Sequence, residues 1–163
     1  MNHYFLGFDY GKKRIGIAIG QTFTATATPL TTLLVHQQQP EWSKLNALIQ
    51  EWQPQALVVG TPIHADGSEN EMTVAVHSFS EQLAQRYLLP IYLIDERLSS
   101  VAAAERPSLI SAMNQRKSNY RKSKKNNQSI ELDAIAAQII LETWLAEPNQ
   151  QIFLKFPVVV KCG

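Results

Sequence analysis

His3-Tyr-Phe-Leu-Gly-Phe-Asp-Tyr-Gly-Lys-Lys-Arg-Ile-Gly-Ile-Ala-Ile-Gly20 holds two apolar runs separated by a polar break, and the architecture grows outward from it. His3 to Asp9 reads as one strand and Arg14 to Gly20 as a second. Tyr10 to Lys13 then form the turn of an antiparallel hairpin, with Gly11 offering the positive φ that such a turn often needs. Successive side chains on a strand point to opposite faces, so Asp9 shares a face with Phe5 and Gly7. Its carboxylate is therefore expected at or near a buried surface, at the mouth of the hairpin.

Downstream, Thr28 to Val35 is rich in threonine, leucine and valine and reads as a third strand. From Pro40 to Trp52 the spacing turns helical, with Trp42, Leu45, Ile49 and Trp52 on one stripe. Ala56-Leu-Val-Val-Gly60 is an uninterrupted apolar run of the kind found in a strand covered on both faces. Met72, Val76, Phe79, Leu83 and Tyr87 recur at intervals of three and four, the signature of an amphipathic helix. Ile91 to Ile94 forms a short strand leading into Asp95 and Glu96. A last helix is expected from near Ser129 through Leu145, closed by Pro148. This order builds an α/β domain with a mixed five-stranded sheet, its first three strands antiparallel and its later ones parallel, flanked by helices.

The chain of 163 residues, 45% apolar, can close one hydrophobic core and is too short for two ordinary domains. Residues 1–148 are read as that domain and 149–163 as a C-terminal tail with no legible role. The only cysteine, Cys162, excludes an internal disulfide framework or a cysteine-based zinc site and suits a reducing compartment. No uninterrupted apolar run approaches the roughly eighteen residues of a membrane span, and Asp9 interrupts the first apolar stretch, against a signal peptide. A cytoplasmic protein without membrane partners is the expectation. The formal charge of +1 conceals uneven placement: residues 106–129 carry seven basic side chains and no acidic ones, six of the seven between Arg116 and Lys125. Local charge is what a polyanion senses.

Three places carry costly carboxylates. Asp9 lies on the first strand. Asp133 lies on the same helical stripe as Ala136, Ala137 and Ile140, the side that should press on the sheet. Asp95 and Glu96 end a parallel strand, where open α/β sheets place their ligands. Like charges brought together out of water repel, and a divalent cation compensates them. Hard cations with oxygen ligands, Mg²⁺ or Mn²⁺ held about 3.5–4 Å apart in pairs, suit phosphodiester hydrolysis. The four histidines lack zinc-motif spacing, and neither Gly-x-Ser-x-Gly nor Gly-Lys-Ser/Thr occurs, which disfavours serine-nucleophile and P-loop chemistry.

Phe8 to Ala18, Val58-Val-Gly-Thr-Pro62, Asp66-Gly-Ser-Glu69, Asp95-Glu-Arg-Leu-Ser-Ser100 and Leu132-Asp-Ala-Ile-Ala-Ala137 together resemble, in order, the motifs of the YqgF or RuvX family. The resemblance spans roughly residues 4 to 145. It implies a ribonuclease H-like fold related to RuvC resolvases, and nuclease action on precursor 16S rRNA or on branched DNA junctions. By motif match Asp9, Asp95, Glu96 and Asp133 would be the catalytic and metal-binding acids, with Mg²⁺ or Mn²⁺ as cofactor. Arg14 and Arg97 would lie near the phosphate, and Lys12, Lys13, Arg116, Lys117, Arg121, Lys122, Lys124 and Lys125 complete the candidate nucleic-acid contacts. Thr61 stands where leucine is more usual in the family, and the basic segment is longer than its pattern. Symmetrical junction cutting would call for a homodimer, whereas rRNA maturation would bring the protein to ribosomal particles.

Blander readings stand beside each of these. Asp9 could bond turn amides, Asp133 could stabilise the first turn of its helix, and one of Asp95 and Glu96 could pair with Arg97 or cap a helix. The basic run could be solvated surface, or it could bind phosphates with Tyr120 stacking on a base. Gly16 and Gly20 read as packing positions. Two rivals remain: a nucleotide binder of the actin or sugar-kinase type, which needs a second domain, and a non-catalytic RNA-binding ribosome-assembly factor.

Overall fold

The computed structural model describes residues 3–61, 71–95 and 128–146. Within them lie strands β1 (Tyr4–Tyr10), β2 (Arg14–Gln21), β3 (Thr26–His36), β4 (Gln39–Pro40), β5 (Ala56–Thr61) and β6 (Ile91–Asp95), with helices α1 (Trp42–Trp52), α2 (Glu71–Tyr87) and α3 (Gln128–Ala146). The strands make one sheet in the order β4-β3-β2-β1-β5-β6. β1 to β4 pair antiparallel with their sequence neighbours, and β5 and β6 add in parallel beside β1.

The mixed sheet matches the expectation, but it has six strands where five were read. The extra one is β4, two residues long, paired with Val35 and His36. Gln37 and Gln38 both take positive φ, 50° and 63°, and turn the chain back within two residues. That turn is usually marked by asparagine or glycine, and a run of glutamines gives no such signal. Pro40 therefore ends a return strand instead of opening α1, which begins at Trp42. The carboxylate of Glu41 accepts the Leu34 amide at 3.0 Å and ties this corner to β3.

A second correction concerns Gly11. Its φ does not lie in the left-handed region; what excludes a side chain is the Arg14 carbonyl, which a Cβ would meet at 2.6 Å. Closeness of the turn, not its handedness, selects glycine there.

Strand alternation divides the core into two layers. Leu6 and Phe8 of β1, Ile15, Ile17 and Ile19 of β2, and Leu57 and Val59 of β5 face α1 and α2, where Leu45, Val76, Phe79 and Leu83 meet them. Phe79 sits at the centre of an aromatic group, its ring 5.8 Å from Phe8 and 5.1 Å from Tyr10. Each such side chain removed from water contributes about 1.5–3 kcal/mol. The opposite layer pairs Phe5, Ala18, Val58 and Ile94 with Ala137, Ile140, Leu141 and Trp144 of α3.

β2 explains why α3 can lie so close. Its large residues are Ile15, Ile17 and Ile19, all on the other face, whereas Gly16, Ala18 and Gly20 occupy the α3 side. A Cβ on Gly16 would fall 1.9 Å from the Asp133 carbonyl oxygen, and one on Gly20 would lie 2.9 Å from Leu141 and Leu145 side-chain carbons. The expected close approach is present. The glycines of β2 permit it as much as the alanines of α3.

α3 also closes a sheet edge. β4 reaches only the last residues of β3, so among the described residues Ala27 has no strand on its outer side. The Ala27 amide donates to Glu142 Oε1 at 3.2 Å, and Gln138 Nε2 donates to the Ala27 carbonyl at 2.8 Å. These side chains take the place of strand pairing where an open edge would invite another chain. Nearby, Pro29 lies beside the register shift at Ile17/Ala18, a bulge position that tolerates the missing N–H.

Candidate active site

The row of the sheet that carries Asp9 can be read straight across the register. Thr32 pairs with Gly16, Gly16 with Asp9, Asp9 with Gly60, and Gly60 with Ile94. Asp9 is half-buried, on the face where Phe5 touches Trp144 at 5.0 Å between rings and where Gly7 approaches Leu141. Both of its neighbours in the row are glycines, Gly16 of β2 and Gly60 of β5.

The backbone of Asp133 reaches the same row from the helix side. Because its carbonyl rests on Gly16, the first turns of α3 are seated on the residue that pairs with Asp9. Residues 124 positions apart in the chain thus flank one glycine. Arg14 lies two residues before Gly16 and on the same face. Its Nε donates to Asp133 Oδ2 at 2.9 Å, with the side chains 40% and 28% exposed. Arg14 was read as a phosphate contact; in this structure its partner is a carboxylate.

The remaining candidates are placed to different degrees. Asp95 ends β6 with its backbone in register with Thr61, one step beyond the Asp9 row. Glu96, Arg97, Arg116, Lys117, Arg121, Lys122, Lys124 and Lys125 lie outside the described residues, as does the tail 149–163. Among the described residues no group of three acidic, histidine or cysteine side chains is gathered for a metal ion. Asp9 and Asp133 supply oxygen donors of the type a hard divalent cation takes, and they fit such an ion as two of its ligands. Lys12, in the hairpin turn, pairs with Glu71 at the start of α2 at 3.1 Å, both ends well exposed. Lys13 occupies the same turn, and its carbonyl accepts the Val35 amide at 2.9 Å.

Two further groups were missed. Thr61 Oγ1 is buried without a hydrogen-bond partner among the described residues at the end of β5, on the row next to Asp9. Tyr10, following Asp9, has its phenol pushed upward by burial, an effect that Lys12 opposes. Neither is marked by any local sequence signal.

The chain matches the RuvX family, described as Holliday junction resolvase, over residues 3–147. It belongs to that family. A protein of Dechloromonas aromatica named "Putative pre-16S rRNA nuclease" is 42% identical over 149 residues, covering 90% of this chain and 93% of its own. A protein of the same name from Legionella pneumophila (strain Paris) is 43% identical over 143 residues, covering 88% and 95%. Among solved structures, Thermus thermophilus RuvC in complex with Holliday junction substrate superimposes with a TM-score of 0.54 at 16% identity, covering 93% of this chain and 99% of its own. That likeness shows the fold: the RuvX chain is ribonuclease H-like, as its motifs imply. Among the described residues no helix is long and apolar enough to cross a membrane.

Proposed function

We propose that this RuvX protein is a metal-dependent endonuclease that hydrolyses a phosphodiester bond of precursor 16S rRNA during 5′-end maturation. The observation that carries the reading is the seating of α3 on Gly16, which brings Asp133 over the strand position paired with Asp9. The two carboxylates stand on elements that meet at one glycine, and a hard divalent cation is a group that both could bind. The names of the curated relatives support the RNA substrate.

A bound pair of Mg²⁺ or Mn²⁺ ions would supply an activated water and stabilise the leaving oxygen. The chain's own contributions are more specific. Asp9, flanked by Gly16 and Gly60, offers its carboxylate without neighbouring side chains in its row. Asp133 approaches from the helix side. The third ligand would come from Asp95 or Glu96, the acidic pair of the motif at the end of β6. The basic residues of the hairpin turn and of the segment 116–125 would hold the nucleic acid, the latter with a salt-dependent affinity.

A second reading, resolution of branched DNA, is favoured by the family description and would require a second copy of the chain to cut both strands. The test is direct. Purified protein is incubated with Mn²⁺ and, in parallel, a precursor 16S rRNA fragment and a four-way DNA junction. Cleavage of the RNA that falls more than about 100-fold in Asp9→Asn, in Asp133→Asn and in one of Asp95→Asn and Glu96→Gln is the expected result. Cutting of the junction alone selects the second reading. Binding of RNA without cleavage of either substrate would leave an assembly factor.

A further inference from the structure

Arg14 occupies an unusual position for a residue whose motif suggests substrate binding. It lies on the α3 face of β2, between the hairpin turn and Gly16, and is the basic side chain bonded to Asp133 among the described residues. Lys12 of the hairpin turn is engaged elsewhere, paired with Glu71. The bond to Asp133 runs through Nε at 2.9 Å, and both partners keep access to water. A partly exposed ion pair is the kind that exchanges readily. It also supplies positive charge beside the strand position of Asp9.

We propose that Arg14 is a displaceable counter-ion. It holds Asp133 in place while the site is free of metal, releases that carboxylate when a divalent cation takes it, and then presents its guanidinium at the rim of the site to a phosphate oxygen. The inference rests on the reading of Asp9 and Asp133 as cation ligands. It adds that loading the site and preparing it for a polyanion are one exchange. The same positive charge that stabilises the empty site must weaken metal binding, because the cation and the guanidinium compete for Asp133.

The experiment uses the whole chain labelled with ¹⁵N and titrated with Mg²⁺, whose lack of unpaired electrons keeps the spectra sharp. The Arg14 Nε–Hε resonance is assigned by its loss in Arg14→Lys. It should move with the same midpoint as the backbone amides of Gly16 and Asp133. In Arg14→Gln the Mg²⁺ midpoint should fall on the order of fivefold, as expected when a partly exposed competing charge is removed. In wild-type protein, saturable movement of the Gly16 and Asp133 amides with the Arg14 side chain unmoved would overturn the exchange while leaving the cation site standing. No saturable change anywhere would overturn both. An unchanged midpoint in a folded Arg14→Gln protein would also count against competition.

Discussion

Replacing Gly16 by alanine should damage this protein more than any other single added methyl group on the α3 face of β1 and β2. The new Cβ would lie 1.9 Å from the Asp133 carbonyl oxygen, 2.1 Å from its carbonyl carbon and 2.7 Å from the Ala134 nitrogen. All three are backbone atoms, so no rotamer change relieves the contact. To restore an ordinary separation of about 3.4 Å, the start of α3 would have to retreat by roughly 1.5 Å, loosening the packing at the site end of the helix. Overpacking in a close-packed interior costs about 1–3 kcal/mol, and the rigid backbone puts this case at the upper end. For a chain of this size, about 3 kcal/mol corresponds to a fall in Tm of roughly 6–12 °C. Gly20→Ala is the internal control, because its Cβ would meet the ends of the Leu141 and Leu145 side chains at 2.9 Å, which can rotate away. Gly7→Ala, facing Leu141 Cβ at 2.7 Å and the Ala137 carbonyl at 3.1 Å, should fall between them. Urea unfolding followed by tryptophan fluorescence measures all three, with Trp144 of α3 as one of the reporters. A Gly16→Ala protein within 1 kcal/mol of wild type, or less affected than Gly20→Ala, would refute the seating of α3 on β2.

Thr61→Val should raise stability by about 1 kcal/mol in the same assay, since it keeps the shape and removes a buried hydroxyl with no bonding partner among the described residues; a loss of stability would mean that the hydroxyl has a role. Alkaline unfolding should begin early. The phenols of Tyr10 and Tyr87 are both raised above 10.0 by burial, so the folded state keeps its protons more firmly than the unfolded chain. Their contribution is complete below pH 10 and is lost as pH rises through the folded values. Tyr10→Phe should flatten the fall in unfolding midpoint between pH 9.5 and 11, and an unchanged slope would count against it.

The strand and helix order was legible because each long element declares its period: Ile15, Ile17 and Ile19 alternate with Gly16, Ala18 and Gly20, while Met72 to Tyr87 repeat at three and four. Asp9 and Asp133 stand out in the sequence because they interrupt faces that are otherwise apolar. β4 was not, because its tight turn is made by glutamines forced to positive φ by the pairing of β3 with β4. The bond between Arg14 and Asp133 was equally hidden. It joins residues 119 positions apart, and no local pattern states which face of a distant helix will lie over a given strand residue. What the sequence did contain was the small side of β2, which marks where a helix backbone can come within contact of the sheet.

That small side also sets the position of the site. Gly16 receives the backbone of Asp133, Gly7 lies against Ala137 and Leu141, and Gly20 lies against Leu141 and Leu145. The helix positions touched are 133, 137, 141 and 145, four residues apart and so on one stripe of α3. Sliding the helix by one residue would rotate that stripe by about 100° and drive bulkier side chains, such as Ile140, into the hollows. The glycine contacts therefore lock the register of α3 along its length, and Asp133 is the first position in that lock. Selection for a well-packed helix and selection for a carboxylate above the Asp9 row act on the same contacts, so a substitution that loosens packing near Gly20 should cost stability first, whereas one at Gly16 should cost stability and activity together.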